Sequence, residues 1–311
     1  MLKKTVSPMT AIVFILASIT SGCDAKNTQV LFKELATAST PGVRRDEIVS
    51  ELSACTFSEV GTQAVQAAVQ ANDSRLRFSF YNASTSKPWL EDGCPESERI
   101  HSAAVAIWRA VTNRAEAGSL SEPLAILSLE ERPEDERMFY LDALRYRHYD
   151  QRAKTALERL AHDKTQPPGI GLKAAEILVQ KADPDAYMPA LIEACDRIKD
   201  ALPRSEQFRF ATQGLAGKLS AESKNLFLNY GFTLLTQIDD GKSGRGYHLA
   251  CHLGYIIGIE PIRKGKGAFV PDQRLPQYQS EGNLKENFFQ DTVNNAQEWW
   301  RKNKKDYVQQ D

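Results

Sequence analysis

The sequence predicts an all-α protein, an irregular solenoid-like stack of antiparallel helices with at most one short β segment near residues 75–81. Three observations carry this. Apolar residues recur at three- and four-residue spacing over most of the chain. Pro, Gly and Asp breakers cut those runs into lengths of about 12–20 residues, the usual size of a globular helix. Alternation of polar and apolar residues, the mark of a half-buried strand, is confined to Arg75-Leu76-Arg77-Phe78-Ser79-Phe80.

Composition fits this fold and excludes several classes. The chain has 311 residues, 42 % hydrophobic and 25 % charged, which is ordinary globular usage rather than that of a disordered or polytopic membrane protein. A net charge of −1 gives no basic field to hold nucleic acid, so nucleic acid is not an expected partner.

In chain order, Lys3 and Lys4 precede Met9 to Ile19, an uncharged and mostly apolar stretch of 11 residues. A spanning helix needs about 20 residues, so this length fits the core of an export signal. Helical runs follow near 28–38, 42–55 and 57–72, with Thr40-Pro41 between the first two. Residues 74–95 interrupt them with the alternating segment and a run rich in Ser, Thr, Asp, Gly and Pro. The next helix, 96–117, carries Ile100, Ala103, Ala104, Ile107, Trp108 and Val111 on one face and ends at Gly118. Pro133 opens another, where Glu134, Asp135 and Glu136 suit the positive end of a helix dipole better than a catalytic carboxylate pair.

From there to residue 259 short helices succeed one another, broken at Pro167-Pro168, Asp183-Pro184, Leu202-Pro203 and Asp240-Gly241. Their stripes are Tyr187, Leu191, Ala194 and Ile198; then Phe208, Ala211 and Leu215; then Phe227, Tyr230, Leu234 and Ile238. The expected organisation is a removed segment 1–22, a tether and first helix 23–40, a helical region 41–120 with its irregular insertion 74–95, and a repeat-like region 121–311 with a loop insertion 261–283.

The leader ends Ile19-Thr20-Ser21-Gly22-Cys23, which resembles the lipobox of bacterial lipoproteins, with Thr20 where that family usually has Leu. The resemblance implies that Cys23 is acylated on sulfur and becomes the first mature residue. Membrane lipid is then a partner through the acyl chains, and the body faces the periplasm. Asp24 resembles the signal that retains such proteins in the inner membrane; the outer membrane is the alternative. The other reading of residues 1–22 is an ordinary secretory signal, because the small residues at 20 and 22 also suit a soluble-protein peptidase.

Export places Cys55, Cys94, Cys195 and Cys251 in an oxidising compartment, where four cysteines allow three pairings. The favoured bridges are Cys55–Cys94 and Cys195–Cys251, with the latter two as free buried thiols the alternative. Leu253-Gly254-Tyr255-Ile256-Ile257-Gly258 and Trp299-Trp300 followed by Asn303 resemble the C-terminal end of HEAT-like helical-repeat proteins.

No catalytic constellation is complete, and no cofactor is expected. His248 and His252 stand four apart on one helix face, the spacing of zinc peptidases, but Leu249 occupies the position of the general-base Glu, which leaves them weak metal candidates. Asp240-Gly241-Lys242-Ser243 lacks the upstream Gly of a phosphate-binding loop, since Thr236 stands there. Arg301, Lys302, Lys304 and Lys305 beside Trp299 and Trp300 combine cations with aromatics and are candidates for contact with a partner or an anionic membrane. The expected function is a lipid-anchored module that binds another protein as an adaptor, an envelope-assembly factor or an effector-immunity protein. The alternative is a cell-envelope enzyme that uses the His248/His252 face.

Overall fold

Helix follows helix throughout the computed structural model, which describes residues 23, 25–37, 39–71, 87–116, 119–146, 150–238, 244–258, 269–271, 276–280, 283–284 and 286–307. Among these residues the chain forms thirteen α-helices and a minimal two-stranded ladder, an all-α helical stack. It divides into two units, Met1–Ala115 and Glu116–Asp311. The leader, Asp24 and the alternating segment 75–81 lie outside the described residues.

The first unit contains α1 (Ala25–Ala36), α2 (Gly42–Ala54), α3 (Thr62–Gln70) and α4 (Glu96–Arg114). Pro41 holds an extended conformation that ends the preceding turn and lets α2 start. A π-turn, Phe57–Gly61, leads into α3 and opens on a capping box. There the Glu59 carboxylate accepts from the Thr56 N–H and hydroxyl, each at 2.7 Å. α4 packs against α1, α2 and α3 and fills the middle of the unit. Its buried face carries Ala103, Ala104, Ile107, Trp108 and Val111, the stripe expected of it. The helix stops at Arg114, four residues before Gly118.

Within this apolar unit Arg45 is only 1 % exposed. Its guanidinium donates to the Trp89 carbonyl at 3.4 Å and lies 3.8 Å from Asp92. Trp89 belongs to the short 3-10 turn Pro88–Leu90, so Arg45 ties part of the irregular insertion to α2.

The second unit runs α5 (Ser121–Leu129), α6 (Glu134–Tyr146), α7 (Gln151–His162), α8 (Pro168–Lys181), α9 (Pro184–Asp196), α10 (Ala201–Ala211), α11 (Ala221–Gln237), α12 (Arg245–Ile257) and α13 (Glu286–Asn303). Packing follows chain order: α5 on α6 and α7, α7 on α8, α8 on α9, α9 on α10 and α11, and α11 on α12 and α13. The helix starts have chemical causes. Asp150 accepts from the Ala153 N–H at 2.9 Å, and Asp183 accepts from Asp185 and Ala186 at 3.0 and 3.2 Å. Pro168 and Pro184 occupy first-turn positions, where no backbone donor is needed.

One expected break is moved. Leu202-Pro203 was read as an interruption, but α10 begins at Ala201 with Pro203 inside its first turn, where its missing N–H costs nothing. α12 closes on Gly258, whose φ of 89° is left-handed, so the Ile-Ile-Gly sequence is a helix end. Gly231 permits close approach of α11 to α12, since a Cβ there would lie 2.5 Å from Leu253 Cδ2. In the insertion 261–283 and just beyond it, Gln279–Ser280 (β1) pairs antiparallel with Asn283–Leu284 (β2).

Two polar clusters hold the second unit together. Between α6 and α8, Glu176 is 2.8 Å from Arg145, while Lys173 is 2.7 Å from Asp142 and 3.4 Å from Glu176. Just past α9, Arg197 reaches the carbonyls of Asp163, Lys164 and Gln166 in the α7–α8 turn. That turn is also braced from within. Asp163 accepts from the Thr165 hydroxyl at 2.6 Å, the Gln166 side chain at 2.8 Å and the Thr165 N–H at 2.9 Å, which holds its pKa at about 2.

Candidate functional site: the Cys23 junction and the α5–α7 groove

Cys23 lies two positions before Ala25, where α1 starts, and Cys55 is the residue at which α2 ends. Their sulfurs form a disulfide, with the Cα atoms 5.8 Å apart. Cys55 is buried at 4 % exposure and Cys23 half-buried. Arg114 at the end of α4 donates to the Cys55 carbonyl at 2.6 Å, fixing the backbone beneath the bridge. The Glu59 carboxylate lies within 4.8 Å of both sulfurs. Its pKa is lowered, chiefly by the Thr56 N–H. With the sulfurs bonded to each other, neither is a thiolate available to a metal.

The bridge overturns the favoured Cys55–Cys94 pairing, and free Cys195 and Cys251 overturn the other in favour of its stated alternative. Cys55 takes Cys23, not Cys94. Cys94 is half-buried and free beside Glu98, Glu91 and Arg99. Cys195 and Cys251 are also free. They face different surroundings: Cys195 is fully buried on α9 near Tyr230, whereas Cys251 lies beside Tyr247 on its own helix. Burial pushes both thiols above the ordinary cysteine value.

His248 and His252 share α12 but not a site. His248 is exposed. His252 Nε2 is 2.9 Å from Thr212 Oγ1, whose own proton goes to the Phe208 carbonyl at 2.7 Å. The ring nitrogen is therefore the donor and offers no lone pair. Phe227 meets the imidazole edge-on at 5.7 Å, and burial lowers the pKa to about 4. Among the described residues, no three metal-ligating side chains gather around either histidine.

The aromatic pair on α13 divides. Trp300 is 8 % exposed and stacks on Phe232, so the core takes it and it is no contact residue. Trp299 is half-buried, 5.8 Å from both Phe269 and Tyr307. Arg301, Lys302, Lys304 and Lys305 are all exposed, and Lys302 pairs with Glu298 at 2.6 Å.

Two open grooves were not foreseen. One, of about 380 Å³, lies between α5 and α7. Ala125, Ile126 and Leu129 face Ala156 across it, and Arg152 and Arg159 form its rim. Ile126 leaves 51 % of its surface open. The other, of about 930 Å³, lies in the first unit along α2 by Leu90; Val43 is its exposed apolar residue and Asp46, Glu47 and Glu51 are its acids.

No family model, curated protein or solved structure matches this chain. Its chemistry therefore has to be read from its own residues. No helix among the described residues is long and apolar enough to cross a membrane.

Proposed function

We propose that the chain is an exported lipoprotein, held at a bacterial envelope membrane through Cys23, whose helical body binds another protein. The α5–α7 groove carries the binding part of this reading. Half-exposed Ile126 beside Ala125, Leu129 and Ala156 gives the groove an apolar lining that a partner's side chain would cover. Of the two arginines lining the groove, Arg152 is already paired with Glu122, so Arg159 is the cation that favours a carboxylate beside the partner's apolar side chains. The lipobox-like residues 19–23 supply the anchoring part, and Asp24 favours the inner membrane. A binding role is preferred to catalysis because the His252 ring nitrogen is already committed to Thr212.

A photo-crosslinking amino acid at Ile126, introduced in the full chain in cells, tests the binding part. A discrete adduct there, with none from the same group at exposed Lys218, supports it. Equal or absent adducts at both positions overturn it. The anchor is tested by intact mass of detergent-extracted chain: added acyl mass on a chain beginning at Cys23 supports it, and an unmodified chain overturns it.

A further inference from the structure

The lipobox-like segment and the disulfide make claims on the same atom. A sulfur holds one thioether or one disulfide partner, so Cys23 cannot carry an acyl group on Sγ while bonded to Cys55. We infer that Cys23 has two exclusive fates: acylation, which keeps the chain on the membrane, or capture by Cys55, which gives a released and covalently closed chain. This rests on the lipoprotein reading above.

The geometry supports both halves. Cys55 is 4 % exposed at the end of α2, so its sulfur faces protein rather than solvent. Cys23 lies two positions before the start of α1 and reaches that sulfur once α1 packs against α2. Capture therefore follows folding of the first unit. Acylation acts on Cys23 while the leader is still attached, before that unit has closed. In the acylated chain Cys55 keeps a free thiol, because its partner sulfur is occupied.

Both reactions balance. In acylation, the Cys23 thiolate displaces the headgroup phosphate from a glycerophospholipid; a C–S bond forms, a C–O bond breaks, and the thiol proton leaves with the phosphate. In capture, the two thiols lose two protons and two electrons to an incoming protein disulfide, which becomes a dithiol. The leader of a captured chain is cut by a soluble-protein peptidase, which the small residues Thr20 and Gly22 suit.

Thiol counting tells the species apart. An acylated chain has four alkylatable thiols after denaturation without reduction, at Cys55, Cys94, Cys195 and Cys251. A captured chain has three, at Cys94, Cys195 and Cys251. The experiment takes the full-length protein and its Cys55→Ser and Cys23→Ser variants, separates membrane from soluble fractions, and records alkylated intact masses. The expected result is acylated four-thiol chain in the membrane, three-thiol chain in the soluble fraction, and a Cys55→Ser variant whose acylated share rises by the share that the wild type loses to capture, because the competing reaction is gone. An unchanged acylated share in Cys55→Ser, with no three-thiol wild-type chain, overturns the competition and leaves the lipoprotein reading standing. No acyl mass in any fraction, Cys55→Ser included, overturns both. Cys23→Ser should lose acyl mass and bridge together; acyl mass surviving there places the lipid elsewhere and also overturns the inference.

Discussion

Trp300 lies flat on Phe232, ring centroids 4.6 Å apart and planes within 5° of parallel. This pair joins α13 to α11, and neither ring has much exposure to solvent. Replacing Trp300 with Ala should cost about 3–5 kcal/mol through lost burial and an unfilled cavity. Replacing exposed Arg301 with Glu should stay within about 0.5 kcal/mol. Denaturant unfolding of both variants checks the contrast; equal losses would mean that α13 is not anchored through this ring.

His252 makes stability depend on pH. Its folded pKa is about 4 against an ordinary 6.5, so below pH 6.5 the unfolded state binds more protons than the folded state. Its contribution is therefore unaffected above about pH 6.5, erodes as pH falls, and is lost in full below about 4. The complete loss is about 3 kcal/mol. His252→Gln keeps a donor for Thr212 without the titration. Unfolding free energies at pH 7 and pH 4.5 should differ less in that variant than in the wild type.

Glu176 stands between Arg145 and Lys173 at 5 % exposure. Glu176→Ala takes the carboxylate from Arg145 while Lys173 keeps Asp142, and should cost about 1–3 kcal/mol, the penalty for removing a charged hydrogen-bond partner. Thermal unfolding reads this directly. A near-neutral result would show that water reaches the cluster.

The Cys23–Cys55 bridge spans a sequence separation of 32. A loop of that length should contribute about 3–4 kcal/mol to the unlipidated chain. Unfolding with and without a phosphine reductant should show that loss in the wild type and none in Cys55→Ser. Parallel losses in both would place the reductant's target elsewhere.

Much of the helical pattern was legible because helices are local. Leu191 and Ala194 of α9, and Phe208 and Ala211 of α10, repeat at three- or four-residue spacing and are all buried. Asp183-Pro184, expected as a break, does separate α8 from α9, and the structure adds that Asp183 caps the second. The cysteine pairing was not legible, because Cys23 meets Cys55 only after α1 and α2 have folded together, and no spacing rule encodes that meeting. Burial of Arg45 was hidden for a similar reason: its partners, Trp89 and Asp92, lie more than forty positions away. His248 and His252 gave the right spacing but concealed Thr212, which occupies one of them from another part of the chain. The α5–α7 groove was missed because Leu124, Ala125, Ile126 and Leu127 follow one another in α5 without a one-sided stripe, and only the packed structure shows that Ile126 remains uncovered.

The turn between α7 and α8 has a practical consequence for engineering. Its carbonyls are gathered by Arg197 and its amides by Asp163, so its length is fixed from both ends. A reporter or epitope spliced between Asp163 and Gln166 would separate groups that one guanidinium must reach at once. The turn after α10 is held at Leu215, which is buried, and at Ser220, whose N–H donates to Asp185 at 2.9 Å, but between them Gly217 is left-handed and exposed, with nothing within 4 Å of a would-be Cβ. Of the two surface turns, the second is the place to add sequence.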